Sequence, residues 1–373
     1  FLFVTSMALG GLFLYRYGHP FILVAVGIVM AMMLYSAGIL ERNFYTGNRD
    51  IYNLLPLTRD DHPKLFTLLD DVASRIEGPA IRNVWLTSAS EAEVLPPVQL
   101  TKINYHPAEV DLLLGMATLS GATTAELKVL VSEALLRTRT RESGFIAHSL
   151  CNNIHQLSVQ TESHTSSYVD PLTLFTFLYL HLVAKATLWL SLLMKMETTR
   201  AVVKMWGSAH TAGAFKSNEE LSIRYAFLDD VILSTQLEYC DDPFTNLYTA
   251  PIPGSWHENM LKKAGTPHYR GTPMETPGDY YAALIEAALT EKNTDTSAHI
   301  PTGLRREWID SMEQVARPTP VHEPSTTLLS NLEFFQWNIS EHRYQHSLGS
   351  GKLSPLDKKR LAELHEKITA LPR

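Results

Sequence analysis

Cysteine is scarce in this chain: Cys151 and Cys240 are the only two among 373 residues. Two thiols that far apart make no disulfide framework, which fits a reducing compartment. Basic blocks are missing as well. With a formal net charge of -7 and no long Lys/Arg run, the sequence offers no electrostatic footprint for nucleic acid, and that partner class is set aside. No nucleophile elbow, Cys-His pairing or Gly-rich phosphate loop can be defended, and no repeat is clear at a period of about 20 to 50 residues. What remains is an acidic chain with room for about two domains, at roughly 100 to 200 residues each, and a membrane segment.

Charge is nearly absent from the start of the chain. Phe21 to Leu40 is a run of 20 residues without a charge, the length a helix needs to cross about 30 Å of hydrocarbon. Phe1 to Tyr15 is a second apolar run, and Arg16-Tyr17-Gly18-His19-Pro20 between them reads as a turn at a bilayer surface. A transmembrane helical hairpin over residues 1–45 is expected, because the second run is too long for a signal-peptide core and no small-residue cleavage site follows it. Arg42, Arg49, Arg59 and Lys64 after the second run outweigh Arg16 in the turn, which would place the body in the cytoplasm. The expectation is an integral protein of the bacterial inner membrane, in contact with the lipid bilayer.

The body then alternates short strands with helices and is mainly α. Leu65, Phe66, Leu68, Leu69 and Val72 recur at helical spacing after His62-Pro63. Val84-Trp85-Leu86, Val94-Leu95 and Val110 to Leu114 read as strands of a small sheet. Thr123 or Thr124 can cap a helix from about Ala125, with Leu127, Leu130, Val131, Ala134 and Leu135 on an apolar stripe interrupted by Glu133. Further helices are expected over Phe145 to Leu157, Pro171 to Met196, Arg200 to Met205 and Glu219 to Leu237. Leu172 to Met194 is long enough to cross a bilayer, but it holds His181 and Lys185, which favours a helix buried in the body or lying at an interface. A Gly-, Pro- and Thr-rich stretch, Gly265 to Gly278, suggests a linker. Beyond it lie expected helices at Tyr280 to Thr290, Leu304 to Val315, Leu328 to Ile339 and Leu356 to Ala370. The expected division is a body at 55–262 and a C-terminal helical appendage at 263–373.

This order of features resembles the HtpX-like family of membrane zinc metallopeptidases. The likeness is carried by the hairpin, by Asp61-His62-Pro63-Lys64-Leu65 heading a helix, by the small sheet, and by Leu112-Leu113-Leu114-Gly115 running on to Glu126-Leu127-Lys128-Val129-Leu130-Val131-Ser132-Glu133. It covers roughly Asp61 to Ile232. The resemblance implies an α+β, gluzincin-type body in which a His-Glu-x-x-His helix holds zinc, its glutamate activates water, and a Glu-x-x-x-Asp pattern on a later helix adds the third ligand.

Those ligands are missing. Read without a gap, the His, Glu and His positions fall on Glu133, Ala134 and Arg137; with one residue deleted, the histidines become Ser132 and Leu136 around Glu133. Both registers remove both histidines. The ungapped register is preferred because it leaves small or apolar residues on the stripe and places Glu133 and Arg137 four apart on one face. Downstream, Glu197 keeps the third-ligand position and Arg200 survives, while Thr199 replaces the aspartate. One carboxylate cannot hold zinc at useful affinity, so no zinc and no other cofactor are expected. Another metal site would have to use His148, Cys151 and His155, at i, i+3 and i+7, or the pair His342 and His346.

The resemblance therefore implies an inactive homologue of a zinc metalloendopeptidase, a pseudoenzyme that binds a protein partner in or at the membrane. An active hydrolase with a rebuilt metal site is the alternative. At the degenerate site, Arg137 is expected to replace the dication by bridging Glu133 and Glu197, unless Glu133 and Arg137 are only an exposed i, i+4 pair.

Overall fold

The computed structural model describes residues 55–95, 109–139, 192–229, 245–291, 300–312, 315–317, 323–349 and 355–371. All of them fall in one compact unit, formed by Arg49–Pro97, Asn104–Ala147 and Leu188–Arg373. The other compact unit, Phe1–Asn48, Val98–Ile103 and His148–Thr187, lies outside the described residues.

Four strands make the principal sheet: β1 (Leu55–Leu57), β2 (Ala80–Thr87), β3 (Ala92–Leu95) and β4 (Glu109–Gly115), in the order β1-β2-β4-β3. The central pair β2 and β4 is parallel, and both edge strands run antiparallel to their neighbours. Strand β4 is buried from Val110 onward, as expected where a parallel strand is covered on both faces. Between β1 and β2 runs helix α1 (Pro63–Arg75), which starts at a proline and buries Leu65, Phe66, Leu68, Leu69 and Val72. A proline at the first position costs nothing there, since that N–H has no helical acceptor in any case.

Strand β4 passes straight into α2 (Met116–Gly121) and then α3 (Thr124–Arg139). Thr123 caps α3. Its N–H and hydroxyl donate to Glu126 Oε2 at 2.7 and 2.9 Å, and Glu126 N–H donates back to Thr123 Oγ1 at 3.2 Å, a reciprocal capping box. Residues 129–136 of α3 are buried all the way round. A helix with no solvated face is a central helix, and α3 packs against α1, β3 and α5 (Ser208–Phe227). Helix α4 spans 192–206, and Gly207 separates it from α5 with a φ of 90°.

After α5 come α6 (Glu258–Ala264), a two-stranded hairpin of β5 (His268–Tyr269) and β6 (Thr272–Pro273), α7 (Pro277–Thr290), α8 (Thr302–Ser311), α9 (Leu332–Gly349) and α10 (Pro355–Thr369). This C-terminal stretch is not a separate appendage in its packing. Ile309, Leu328, Leu329 and Ile339 belong to the same hydrophobic core as the sheet, α1 and α3. Polar stitches fasten it too. Thr124 N–H donates to Glu323 O at 2.7 Å, and Ser325 Oγ donates to Ala122 O at 2.6 Å. The hydroxyl of Ser208 accepts from Val315 N–H at 3.0 Å, and Asn246 Nδ2 donates to Gln336 Oε1 at 3.0 Å. The expected division at residues 262 and 263 is therefore not a boundary in the core.

The expected fold class needs correction. The described chain is mainly helical with two small sheets, and among the described residues no helix is long and apolar enough to cross a membrane. The transmembrane hairpin expected at 1–45 lies outside the described residues, as do 145–157 and 171–191. The readings of the chain as an integral membrane protein and as an inner-membrane protein are withdrawn with it. Helix α4 also differs from expectation, since it runs through Met196 and on to residue 206 instead of ending there.

Candidate functional site

Helix α3 turns Ser132 and Glu133 into the interior of the molecule. Glu133 has a side chain only 7% exposed, and Arg137, one turn later, donates from Nη2 to Glu133 Oε1 at 2.9 Å. The pair is thus not a solvated surface pair. A second guanidinium approaches from α8, with Arg305 Nη1 at 3.5 Å from both oxygens of the same carboxylate. Phe215 of α5 supports Arg305 from beneath, its ring centroid 4.3 Å from the guanidinium carbon, a cation–π contact in a water-poor setting. On the other side, Arg137 Nη1 lies 3.7 Å from Glu93 Oε1 on edge strand β3. One carboxylate is therefore clamped by two guanidiniums, with a second carboxylate behind.

The charges tune each other. Burial alone would raise the Glu133 carboxyl, but Arg137 and Arg305 outweigh it and hold the group down at about 2. Lys195 of α4 is 6% exposed. Its burial, with Arg137 and Arg305 nearby, lowers its ammonium to about 7. Glu91 moves the other way, pushed up to about 7 by burial and by the charge of Glu93. Burial also lowers Arg305, against the pull of Glu133.

The other positions singled out by the resemblance divide by helix face. Ser132 is fully buried and already engaged, its Oγ accepting from Trp206 Nε1 at 2.9 Å and donating to Lys128 O at 2.7 Å. Ala134 and Leu136 are buried and apolar. On α4 the inward stripe is Leu192, Lys195, Thr198, Thr199, Val202 and Val203, whereas Glu197 and Arg200 are exposed. The expected bridge from Arg137 to Glu197 is therefore corrected: Glu197 points to solvent, and Arg305 supplies the third charged group at Glu133. Thr199 is fully buried, and its hydroxyl has no hydrogen-bond partner among the described residues.

Zinc does not fit this arrangement. Ala134 and Leu136 are hydrocarbon, the Ser132 hydroxyl is committed, Glu197 faces away, and the buried Glu133 carboxylate is occupied by two cations that would repel a third. His148, Cys151 and His155 lie outside the described residues, as does the side chain of His346, while His342 is half-buried on α9. Among the described residues no group of three His, Cys, Asp or Glu side chains is disposed to hold a metal.

Sequence reasoning missed Arg305, Glu93 and Lys195. Arg305 lay in the presumed appendage, 172 residues from its partner in the chain. Lys195 did carry a readable signal, since it occupies an i, i+3, i+7 position on the inward stripe of α4. Comparison with known protein families, with curated proteins and with solved structures finds no match to this chain.

Proposed function

We propose that this chain is a non-catalytic binding protein built on a peptidase-like body of the HtpX-like type, which has exchanged its metal centre for a fixed ion-pair cluster and serves a protein partner. The observation that supports this is the clamped Glu133. In the ungapped register the base position falls on Ala134, which has no acid–base group, and in the other it falls on Glu133, whose carboxylate, held at about 2 between Arg137 and Arg305, is too weak a base to take a proton from water near neutrality. The chemistry that the family resemblance implies needs that base and a metal ligand set together, and neither is supplied by the residues on α3 and α4.

Elemental analysis of the purified full chain tests the reading, together with a chelator-sensitive peptidase assay. Well under one zinc per chain and no chelator-sensitive cleavage are expected. About one zinc per chain, or cleavage abolished by a chelator, would favour an active hydrolase with a rebuilt site and remove this proposal.

A further inference from the structure

We propose that helix α10 is a built-in occupant of a helix-docking groove on α9, and that an amphipathic helix of a partner protein displaces it by presenting the same apolar and donor pattern. The inference rests on the reading of this body as a binding protein and names the surface and the kind of segment that surface takes.

The groove is built by the body itself. Ile339 ties one face of α9 into the principal core, while Phe334, Trp337, Glu341 and Tyr344 recur at i, i+3, i+7 and i+10 on another stripe. Leu247 stands beside that stripe, its N–H donating to Ser340 Oγ at 3.2 Å. The Tyr344 hydroxyl accepts from Thr245 N–H at 2.8 Å and donates to Thr245 O at 2.9 Å. None of these bonds involves α10.

Into this groove α10 places Leu361, Leu364 and Ile368, at i, i+3 and i+7, all buried. Beside them Lys367 Nζ lies 4.9 Å from the centroid of the Trp337 ring, a cation–π contact. His365 Nδ1 lies 3.1 Å from Glu341 Oε1, and Gln345 Nε2 donates to the same oxygen at 3.0 Å. A carboxylate oxygen only accepts, so Nδ1 is the donor. The Glu341 side chain is 7% exposed and that of His365 65%, so a buried carboxylate draws a donor from a group that stands mostly in water. Losing that donor is costly. The groove therefore selects a helix that carries an N–H donor directly after its central apolar residue.

The attachment of α10 is small. Its three apolar residues meet Leu247 and Tyr344 in a cluster separate from the principal core, and Ala362, Glu363, Glu366 and Thr369 on its other face are exposed. An element held by so few apolar side chains opens at the low end of a protein's local stabilities. Helix α9 ends at Gly349 and α10 begins at Pro355, and a ligand on so short a tether competes at an effective concentration on the order of millimolar. A free helix of the same pattern thus binds weakly until α10 is displaced, which makes α10 a gate on the groove.

The test keeps the full chain. A fluorescein-labelled peptide of Pro355–Thr369 is titrated against the parent and against Leu364→Glu, with anisotropy as the readout. Leu364→Glu should undock its own α10, keep the main urea transition and bind the peptide about tenfold or more tightly than the parent does. A second peptide, which keeps Leu361, Leu364, His365, Lys367 and Ile368 and changes every other position, should bind that variant within about threefold of the first, and a scrambled peptide should not bind. Adding Trp337→Ala should weaken binding by about tenfold or more. Equal affinities for parent and variant, no saturable binding, failure of the second peptide, success of the scrambled one, or indifference to Trp337→Ala would overturn the inference. A parent chain that is dimeric in light scattering and becomes monomeric with the peptide would make a second copy the occupant and overturn it as well. Should Leu364→Glu not fold, hydrogen exchange of the parent decides: α10 amides about tenfold or more faster than those of α9 support release, and equal protection overturns it. Because none of these readouts involves zinc or peptide cleavage, its failure is distinguishable from failure of the proposed function.

Discussion

Arg137 donates a 2.9 Å hydrogen bond to Glu133 one helical turn before it, and both side chains are mostly withdrawn from water, at 23% and 7% exposure. At a surface, the same i, i+4 pair would contribute a few tenths of a kcal/mol. Here the helix that carries it is central, so each charge depends on the other to offset its desolvation.

Truncating Arg137 should therefore be costly. Arg137→Ala leaves Glu133 with Arg305 alone, at 3.5 Å, and is expected to lower stability by about 3 kcal/mol in urea unfolding. The double variant Glu133→Ala/Arg137→Ala should lose less than the sum of its parts. Additive single losses would mean that the pair is not coupled. Because the Glu133 carboxyl is held at about 2, below its ordinary value of 4.5, its contribution is present above about pH 4.5 and is lost as pH falls toward 2.

A second pH dependence comes from His62. This residue is 3% exposed and packs edge-on against Phe335, with ring centroids 5.4 Å apart, and its Nδ1 has no hydrogen-bond partner among the described residues. Burial lowers its imidazole below the ordinary 6.5, although Asp61 pulls upward. The unfolded chain thus binds the proton more readily than the folded one. Stability is complete above about pH 6.5 and declines as pH falls from there through the lower folded value. His62→Leu should flatten that decline below about pH 6.5, measured as the urea midpoint at each pH. An unchanged slope would assign the acid loss to other groups.

Gly207 sets the break between α4 and α5. Its φ is 90°, and a Cβ there would lie 2.9 Å from the carbonyl oxygen of Val315, the same carbonyl that accepts from Ser208 N–H at 3.1 Å. Gly207→Ala is expected to lower stability by about 1 to 3 kcal/mol, through left-handed backbone strain and the close contact together. Gly213→Ala is the control, since among the described residues nothing lies within 4 Å of the added atom, and it should leave the melting temperature the same or slightly higher.

Ending the chain at residue 262 should not release a stable body. Ile309, Leu328, Leu329 and Ile339 fill the principal core, and Ser325 is fully buried where it ties down the carbonyls of Leu119 and Ala122. The truncated chain is expected to lose cooperative unfolding, followed by circular dichroism in urea. A sharp transition with the midpoint of the full chain would make the C-terminal stretch a true appendage.

Local chemistry was legible in the residues themselves. The period of Leu65, Leu68, Leu69 and Val72 specifies α1, a threonine at 123 or 124 marks the start of α3, and Val84-Trp85-Leu86 and the apolar run in β4 specify strands, because each signal is complete within a few residues. The absence of a His-Glu-x-x-His motif was equally plain. What the sequence could not determine was which residues stand around Glu133. Glu197 lies on the right helix but one face away, while Lys195, two positions earlier, faces inward. Arg305 reaches the site only because α8 packs on α5 and returns a distant part of the chain to the core. Helical phase and long-range packing are properties of the assembled core, decided by which apolar stripes can be buried together, and so the tertiary structure alone chose the partners of the buried carboxylate.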